Sequence, residues 1–270
     1  MKKVIAANGV EYFTSDLLCC VNAFSTRIGG ISKHPHTFSL NLGTGRGDTA
    51  DEVRTNLELF AHAAGFDART LVSMKQIHSS AVRTVRSADC GKEYYIDSNE
   101  TSDAYICDIP GIAIGVRTAD CVPLLFSAVY DGKAGIVGAA HAGWRGTVTG
   151  IAGNMIEKMR NYGVNAEEIR VAIGPAIGKC CFEVRDDFYN EVLNRLGTEM
   201  TNRYVSAKDS ITGTRHADIV GMNREILTAH GVKPENIDVS PLCTCCHPEL
   251  FYSHRYSGGV RGTLLSIIKI

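Results

Sequence analysis

The sequence predicts an α+β fold in which helices flank mixed or antiparallel sheets. Short apolar runs bounded by turn residues indicate buried strands, and apolar residues at helical spacing indicate amphipathic helices. These segments do not alternate in the strict strand-helix rhythm of doubly wound or barrel folds. No Pro/Ser-rich linker, charge block or repeat divides the chain, so we expect residues 1–270 to form a single domain.

The first helix should begin after Thr49. Thr49 and Glu52 fit a capping box, and Gly65 is placed to end the helix. Between them, apolar residues recur at helical spacing: Val53, Leu57, Phe60, Ala61 and Ala64.

The middle of the chain should form three successive buried strands, followed by helices and one further strand. Apolar runs predict strands over 112–116, 122–126 and 135–140, separated by turns at 118–120 and 130–132. Helical spacing predicts a helix over 147–162, followed by a strand over 169–173. Further helices are predicted over 186–196 and 217–230.

Composition narrows the classes of partner. With 28 Lys+Arg against 29 Asp+Glu, the chain lacks the basic surface that nucleic-acid binders need, so a small-molecule partner is expected. No apolar run approaches the roughly 20 residues that span a bilayer, and the first 16 residues do not resemble a signal peptide. The ten cysteines are therefore interpreted as reduced thiols in a cytoplasmic protein without membrane association.

Three reactive side chains lie at the ends of apolar runs: His78, Cys121 and His141. Two histidines and a cysteine suit Zn²⁺, and three protein ligands leave a fourth position for water or substrate. On spacing alone, the favoured interpretation is that Cys121 is a small core residue and His78 a hydrogen-bonded surface residue. His141 makes a metal site a competitive interpretation, because this residue is enclosed between the run 135–140 and a tight Gly-containing loop.

Two segments are candidates for binding an anion. Arg145 could hold a phosphate with its planar guanidinium, although stacking on Trp144 is an equal alternative. The Gly-rich segment 39–47 precedes the first helix and could cradle an anion with backbone amides. It matches neither established phosphate-binding pattern, so an ordinary turn is the default.

Three carboxyl groups are candidates for the general acid or base: Asp103, Asp120 and Glu183. Each lies beside an apolar run that would raise its pKa by desolvation, and each could instead cap a turn.

The segment from Cys243 to His247, with Cys245 and Cys246 between them, suggests a second metal site. It has no evident distant partner pair, which favours buried thiols near a strand end. His247-Pro-Glu249 also mimics the H-x-E of zinc nucleobase deaminases, but no P-C-x-x-C follows, so membership of that superfamily is not expected.

From about residue 20 onward the chain resembles the YfiH/laccase-domain family of purine nucleoside phosphorylases, also labelled polyphenol oxidases. The motifs that carry the resemblance occur in the family's order: Ser39-Leu-Asn-Leu-Gly43, Gln76-Ile-His78, Ala119-Asp-Cys121-Val-Pro, His141-Ala-Gly-Trp-Arg-Gly146, Ile173-Gly-Pro-Ala-Ile-Gly178 with Phe182-Glu-Val184, and Cys243-Thr244 before Phe251. Segment 255–262 departs from the family pattern, which expects paired arginines and a Gly-Arg step there.

The resemblance implies a single-domain α+β fold related to cysteine-hydrolase-like toxins. It implies one Zn²⁺ per chain on His78, Cys121 and His141, with Cu²⁺ as a substitute. It also implies phosphorolysis of adenosine, inosine and S-methyl-5'-thioadenosine, together with adenosine deamination. We expect Asp103 to act in catalysis beside Cys121 and His141, and the substrate and phosphate to be bound by Asn41, Gln76 and Arg145.

Three other classes of protein are compatible with parts of this pattern. A cysteine hydrolase or amidase would use Cys121 as nucleophile and His141 as base. A multicopper oxidase would need several His-x-His pairs, whereas only His34-Pro-His36 is present, so a true laccase is not expected. A non-catalytic protein with a structural zinc would need a fourth ligand, such as Cys181 or His254.

Overall fold

The computed structural model describes residues 1–130 and 133–270. The strands of the described residues are β1 (Lys2–Ile5), β2 (Glu11–Thr14), β3 (Val21–Ser25), β4 (Val82–Thr84), β5 (Ala104–Cys107), β6 (Ala113–Thr118), β7 (Val122–Tyr130), β8 (Lys133–Ala142), β9 (Ile169–Ile173), β10 (Glu183–Val184), β11 (Arg215–His216), β12 (Ile237–Val239) and β13 (Leu264–Lys269). The α-helices are α1 (Ala50–Ala64), α2 (Trp144–Val148), α3 (Ile151–Arg160), α4 (Asp186–Tyr204), α5 (Ile219–Ala229) and α6 (His254–Ser257).

The strands form two large sheets and one small ribbon. The five-stranded sheet has the order β1-β2-β3-β13-β6 and is antiparallel throughout. The six-stranded sheet has the order β12-β9-β7-β8-β5-β4 and is mixed, because its outer pairs β12/β9 and β4/β5 are parallel. Strands β10 and β11 pair separately. The C-terminal strand β13 lies between β3 and β6, so both ends of the chain contribute to one sheet.

The hydrophobic core is layered between and outside the two sheets. Successive residues of β13 illustrate this: Leu264 and Ile268 face the core between the sheets, whereas Leu265 and Ile267 face helix α1. On the far side, α3 and α5 cover the six-stranded sheet. The predicted α+β class, with helices outside antiparallel and mixed sheets, is confirmed.

Most predicted elements are present with shifted bounds. The capping box at Thr49 and the left-handed C-cap at Gly65 bound α1 as predicted. The single helix predicted over 147–162 was wrong, because Gly150 adopts a left-handed conformation (φ 88°) and separates α2 from α3. Helix α4 runs well beyond residue 196 and bends at Gly197 (φ 83°). The turn predicted at 130–132 lies partly outside the described residues.

Two further findings concern membrane-spanning helices and the state of the cysteines. No helix in the described part of the chain is both long and apolar enough to cross a membrane. All the cysteines are free thiols, which agrees with the interpretation of the sequence.

Candidate metal centre and adjoining cavities

The strand register brings the three predicted ligands together. Cys121 directly precedes β7, and His141 is the penultimate residue of β8, whose Ala142 pairs with Val122. His78 reaches the same point from the loop before β4. One donor atom from each of the three side chains lies within 4.8 Å of the other two. Within the described residues this group contains only these three donors, so neither Cys181 nor His254 completes it.

The carboxylate of Asp103 holds both histidines in place. It accepts backbone N–H bonds from Ile77, His78 and Ser79 at 3.1, 3.0 and 2.8 Å, and the Ser79 hydroxyl at 2.8 Å. His141 Nδ1 bonds the same carboxylate at 2.9 Å. These contacts hold the loop in place around His78, whose backbone adopts a left-handed conformation (φ 61°). Burial acts to raise the pKa of Asp103, but the bonds from His141 and Ser79 outweigh it and lower the pKa to about 2.

Cys121 and His141 shift one another's pKa in opposite directions. Burial opposes the thiolate, yet the charge and hydrogen bonds of His141, together with His78, lower the pKa of Cys121 to about 6. Burial also opposes the imidazolium, yet Cys121 and Asp103 raise the pKa of His141 to about 9. Near neutral pH the metal-free site therefore favours a thiolate beside an imidazolium.

A glycine keeps the space beside the three donors open. A Cβ atom on Gly143 would lie 2.8 Å from His78 Cδ2, 3.3 Å from Cys121 Sγ and 3.5 Å from His141 Cε1. Glycine at this position, the first of the loop after Ala142, therefore allows the three donors to keep these positions.

A polar cavity of about 370 Å³ opens on one side of the cluster. Its wall includes Arg46, Lys75 and Arg261, and none of these cations has a carboxylate partner among the described residues. Burial, together with the nearby charge of Arg46, lowers the pKa of Arg261, and its Nε is buried without a hydrogen-bond partner. A fourth cation, Arg117, is neutralised by Glu93 at 2.9 Å. The cavity thus offers unpaired positive charge, as an anion site requires.

A second cavity of about 300 Å³ adjoins the cluster and is more apolar. Trp144, Ile177, Phe182 and Ile219 supply its apolar wall. His78, Cys121 and Arg261 line both cavities, so the donor cluster lies at their junction.

The three predicted substrate-binding residues lie in different environments. Gln76 lines the polar cavity and pairs through its amide with the backbone of Arg117. Asn41 is fully buried and lines neither cavity. Its amide bonds Gly43, Asp48 and Thr263.

Arg145 is exposed and stacks over Trp144, with its guanidinium carbon 4.1 Å from the ring centroid. Of the two arrangements considered from the sequence, the structure therefore has Arg145 stacked on Trp144. The Gly-rich segment 39–47 does reach the polar cavity, through Gly43, Thr44 and Arg46.

The three candidate acids also differ in position. Asp103 is fully buried behind His141 and lines neither cavity. Asp120 lines the apolar cavity, where its two oxygens accept from Thr244 Oγ1 at 2.6 Å and the backbone N–H of Arg255 at 2.7 Å. Glu183 is exposed on β10 and lies outside both cavities.

Several lining residues were not identified from the sequence. Arg46 lies in a segment that was considered for backbone amides only, and Arg261 lies in the segment that departs from the family pattern. Lys75 directly precedes the motif Gln76-Ile-His78, and Phe182 begins the motif Phe182-Glu-Val184. Neither residue type distinguished these positions from ordinary surface and core positions. Of these cations, Lys75 alone lies beside a candidate ligand in the sequence, three residues before His78.

The fold and site define a class of protein: an α+β domain with a His₂Cys cluster between a cationic and an apolar cavity. The family model described as multi-copper polyphenol oxidoreductase laccase matches residues 21–270, and the chain belongs to this family. It is 35% identical over 252 residues to purine nucleoside phosphorylase YlmD of Geobacillus stearothermophilus, covering 92% of this chain and 89% of the relative.

Two further comparisons agree with that assignment. The chain is 35% identical to adenosine deaminase RL5 from an unknown prokaryotic organism, over 88% of this chain and 89% of the relative. The crystal structure of YlmD from Geobacillus stearothermophilus superposes with a TM-score of 0.86 at 34% identity, covering 98% of each chain. The resemblance stated from the sequence motifs is confirmed.

Proposed function

We propose that this protein is a metal-dependent purine nucleoside phosphorylase that also deaminates adenosine. The observation that carries the proposal is the donor cluster at the junction of a cationic and an apolar cavity. Such a junction suits a ligand with a charged end and a flat apolar end, as phosphate and a purine nucleoside present together. The names of the relatives support both activities. The free thiols support a reducing, cytoplasmic compartment.

The donor set fits a bound zinc ion. His78, Cys121 and His141 converge within 4.8 Å, and Gly143 leaves the space beside them free. Because Asp103 bonds Nδ1 of His141, Nε2 is the nitrogen of that ring left for a metal. Zinc in a three-ligand site supplies Lewis-acid chemistry when bound. Nitrogen and sulfur ligands also accept copper, which we propose as a substitute.

In phosphorolysis, the cationic wall binds and orients the phosphate. Arg46, Lys75 and Arg261 have no carboxylate partner in the part of the chain that the structure describes, so their charge is available to the phosphate oxygens. A phosphate oxygen forms the new bond to the anomeric carbon of the sugar, and the bond to the purine nitrogen breaks with its electron pair leaving on the base. The products are the free base and ribose 1-phosphate.

The apolar cavity binds the base. Phe182 and Trp144 offer aromatic surface and Ile177 adds an aliphatic wall, which together exclude water around a flat ring. Asp120 is the one candidate acid that lines this cavity, and we assign it the contact with the leaving base. Asp103 acts through His141, as a positioning residue rather than a proton donor to substrate.

Adenosine, inosine and S-methyl-5'-thioadenosine are the proposed substrates. They share the purine ring and the glycosidic bond, and they differ in the 6-substituent of the base or the 5'-substituent of the sugar. In deamination of adenosine, water adds to the purine carbon that bears the 6-amino group, the bond from that carbon to nitrogen breaks, and inosine and ammonia are released at the same donor cluster. Nucleic acid is not a proposed substrate, because the cationic wall is confined to a cavity and the formal net charge of the chain is -1.

The test is product analysis with zinc-quantified protein. Each of the three nucleosides is incubated with and without phosphate, and products are separated by chromatography. We expect phosphate-dependent release of base that is lost in Cys121→Ala and retained in Cys19→Ala, which removes an exposed thiol elsewhere. No turnover of any nucleoside by the zinc-loaded protein would overturn the proposal.

A second candidate function is cysteine-dependent hydrolysis. Cys121, His141 and Asp103 form a thiolate, imidazolium and carboxylate series in the metal-free site, with the pKa of Cys121 lowered to about 6. In this case activity on amides would persist or rise after chelation and disappear on alkylation of Cys121. Loss of activity on chelation, with zinc protecting Cys121 from alkylation, would exclude it.

A further inference from the structure

A second cluster of metal-binding side chains lies outside the donor cluster described above. Cys180 and Cys181 lie in the turn before β10, and Cys243 and Cys246 lie in the segment after β12. Their four sulfur atoms all lie within 4.8 Å of one another. Cys246 Sγ is 3.5 Å from Cys180 Sγ and 3.4 Å from Cys181 Sγ. Cys180 and Cys181 are thus the distant pair that appeared to be missing from the sequence.

Backbone contacts hold the two thiol-bearing segments together. Ala176 and Cys243 form a parallel bridge, and the backbone N–H of Thr244 bonds the Ala176 carbonyl at 3.0 Å. The Gly178 N–H donates to Cys243 Sγ at 3.2 Å, as backbone amides commonly do to metal thiolates. A Cβ on Gly178 would lie 3.3 Å from Cys180 Sγ, so glycine permits this close approach.

We propose that Cys180, Cys181, Cys243 and Cys246 bind one zinc ion, as a structural site separate from His78, Cys121 and His141. Zn–S bonds of about 2.3 Å in a tetrahedron place the sulfur atoms about 3.8 Å apart, which lies within the separations found here. Four protein ligands leave no open position, so this site is closed where the other is open. Binding releases the thiol protons to solvent and involves no oxidation or reduction.

The exposure of these thiols gives a metal access from solvent. It also argues against the expectation from the sequence that this segment simply holds buried thiols. Cys180 and Cys246 are exposed and Cys181 is partly exposed, whereas only Cys243 is buried. Exposed thiols that lie close enough to contact one another are open to oxidation unless a metal occupies them. Zinc is redox-inert and matches an all-thiolate tetrahedral set.

This zinc would hold the wall of the apolar cavity in place. Ile177 and Phe182, at either end of the first thiol-bearing turn, both line that cavity. The Ile177 N–H bonds the Asp120 carbonyl at 2.9 Å, and Thr244, beside Cys243, bonds the Asp120 carboxylate at 2.6 Å. Both thiol-bearing segments therefore contact Asp120, the residue next to Cys121, and a zinc ion that joins the segments would hold Asp120 in place. The inference concerns metal binding and does not depend on which reaction the protein catalyses.

The experiment measures zinc per chain in protein purified with reductant and zinc but without chelator. We expect two zinc ions in the wild type, one in Cys180→Ser/Cys246→Ser, one in His78→Ala, and two in the matched control Cys19→Ser/Cys90→Ser. Replacing the two exposed thiols is chosen because Cys243 is buried and its loss could prevent folding.

A second measurement uses the unmodified protein. Stepwise modification of native protein with a thiol reagent should release one zinc ion to a chromophoric chelator as the four thiols react. Cobalt added to chelator-treated protein should give thiolate charge-transfer absorption that Cys180→Ser/Cys246→Ser largely removes. The proposal is overturned if this variant keeps the wild-type zinc content, if the wild type holds a single zinc lost with His78, or if the cluster is isolated as a disulfide or with iron.

Discussion

The Asp103 carboxylate bonds His141 Nδ1 at 2.9 Å, and this contact fixes which ring nitrogen faces the donor cluster. The same carboxylate receives the backbone N–H groups of the loop that carries His78. One buried side chain therefore sets the orientation of two of the three donors. We propose that the role of Asp103 is to position these donors, and substituting it is the most direct test of the site's geometry.

Asp103→Asn should weaken zinc binding at the donor cluster by about 10- to 100-fold. The amide group presents N–H where the carboxylate accepted bonds, so His141 and the loop at His78 lose their common anchor. Competition with a chromophoric chelator measures the affinity. Asp89→Asn is the control, because Asp89 is equally buried but pairs with Arg83 and Lys92. Equal zinc affinities in Asp103→Asn and wild type would contradict the positioning role.

Arg261→Ala should raise the KM for phosphate by about tenfold or more, since a hydrogen bond to a charged group contributes about 1.5–3 kcal/mol. Arg261 lines both cavities and has no carboxylate partner within the described part of the chain. Steady-state kinetics at varied phosphate measures the effect. Arg145→Ala should change the KM little, because Arg145 is exposed and stacks on Trp144. A larger effect in Arg145→Ala would restore the phosphate-binding role predicted for it from the sequence.

Protonation of Asp48 in acid should destabilise the Gly-rich segment 39–47 and the loop before it, which donate hydrogen bonds to this carboxylate. Burial opposes its charge, but hydrogen bonds from Ser32, Thr37 and Asn41 lower the pKa of Asp48 below its ordinary value. A carboxyl group with a lowered folded pKa stabilises the fold fully above its ordinary pKa, about 4, and this contribution is lost as the pH falls through the folded value.

The difference in free energy of unfolding between wild type and Asp48→Asn should therefore shrink below about pH 4. Urea denaturation across pH measures it, with the exposed Asp108→Asn as control. A difference that stays constant down to pH 2 would show that the Asp48 carboxylate does not contribute through its charge.

The sequence predicted the three candidate donors, which the structure brings within 4.8 Å of one another, better than the residues around them. His78, Cys121 and His141 could be identified because reactive residues followed apolar runs, and strand register then placed them together. The cationic wall could not be predicted, because Arg46 and Arg261 are far apart in the chain and meet only through the fold. The pairing of Cys180 with Cys246 was missed for the same reason.

One wrong element and one site residue that lies away from both cavities have local explanations. The helix predicted over 147–162 divides at Gly150, because one residue in a left-handed conformation interrupts an otherwise helical pattern. Asn41 belongs to a family motif, yet its buried amide supports the backbone at Gly43 and Thr263 rather than facing a cavity. A motif marks a residue as constrained without saying whether the constraint comes from a ligand or from the fold.

Gly143→Ala should weaken zinc binding on the order of tenfold or more while leaving the metal-free fold nearly as stable as the wild type. The backbone at Gly143 has φ −62° and ψ 166°, which alanine adopts without strain. The added Cβ would lie 2.8 Å from His78 Cδ2 and 3.3 Å from Cys121 Sγ, so the imidazole must move away from the other donors.

Gly111→Ala is the converse control for this prediction. Gly111 has φ +84° with nothing within 4 Å of an added Cβ, so alanine there strains the backbone without touching the site. Gly111→Ala should lower the free energy of unfolding slightly and leave zinc affinity unchanged. Gly143→Ala should instead lower zinc affinity and leave the free energy of unfolding nearly unchanged. Zinc titration and urea denaturation of both variants separate the two effects. Wild-type zinc affinity in Gly143→Ala would mean that the donors do not close around a metal at this position.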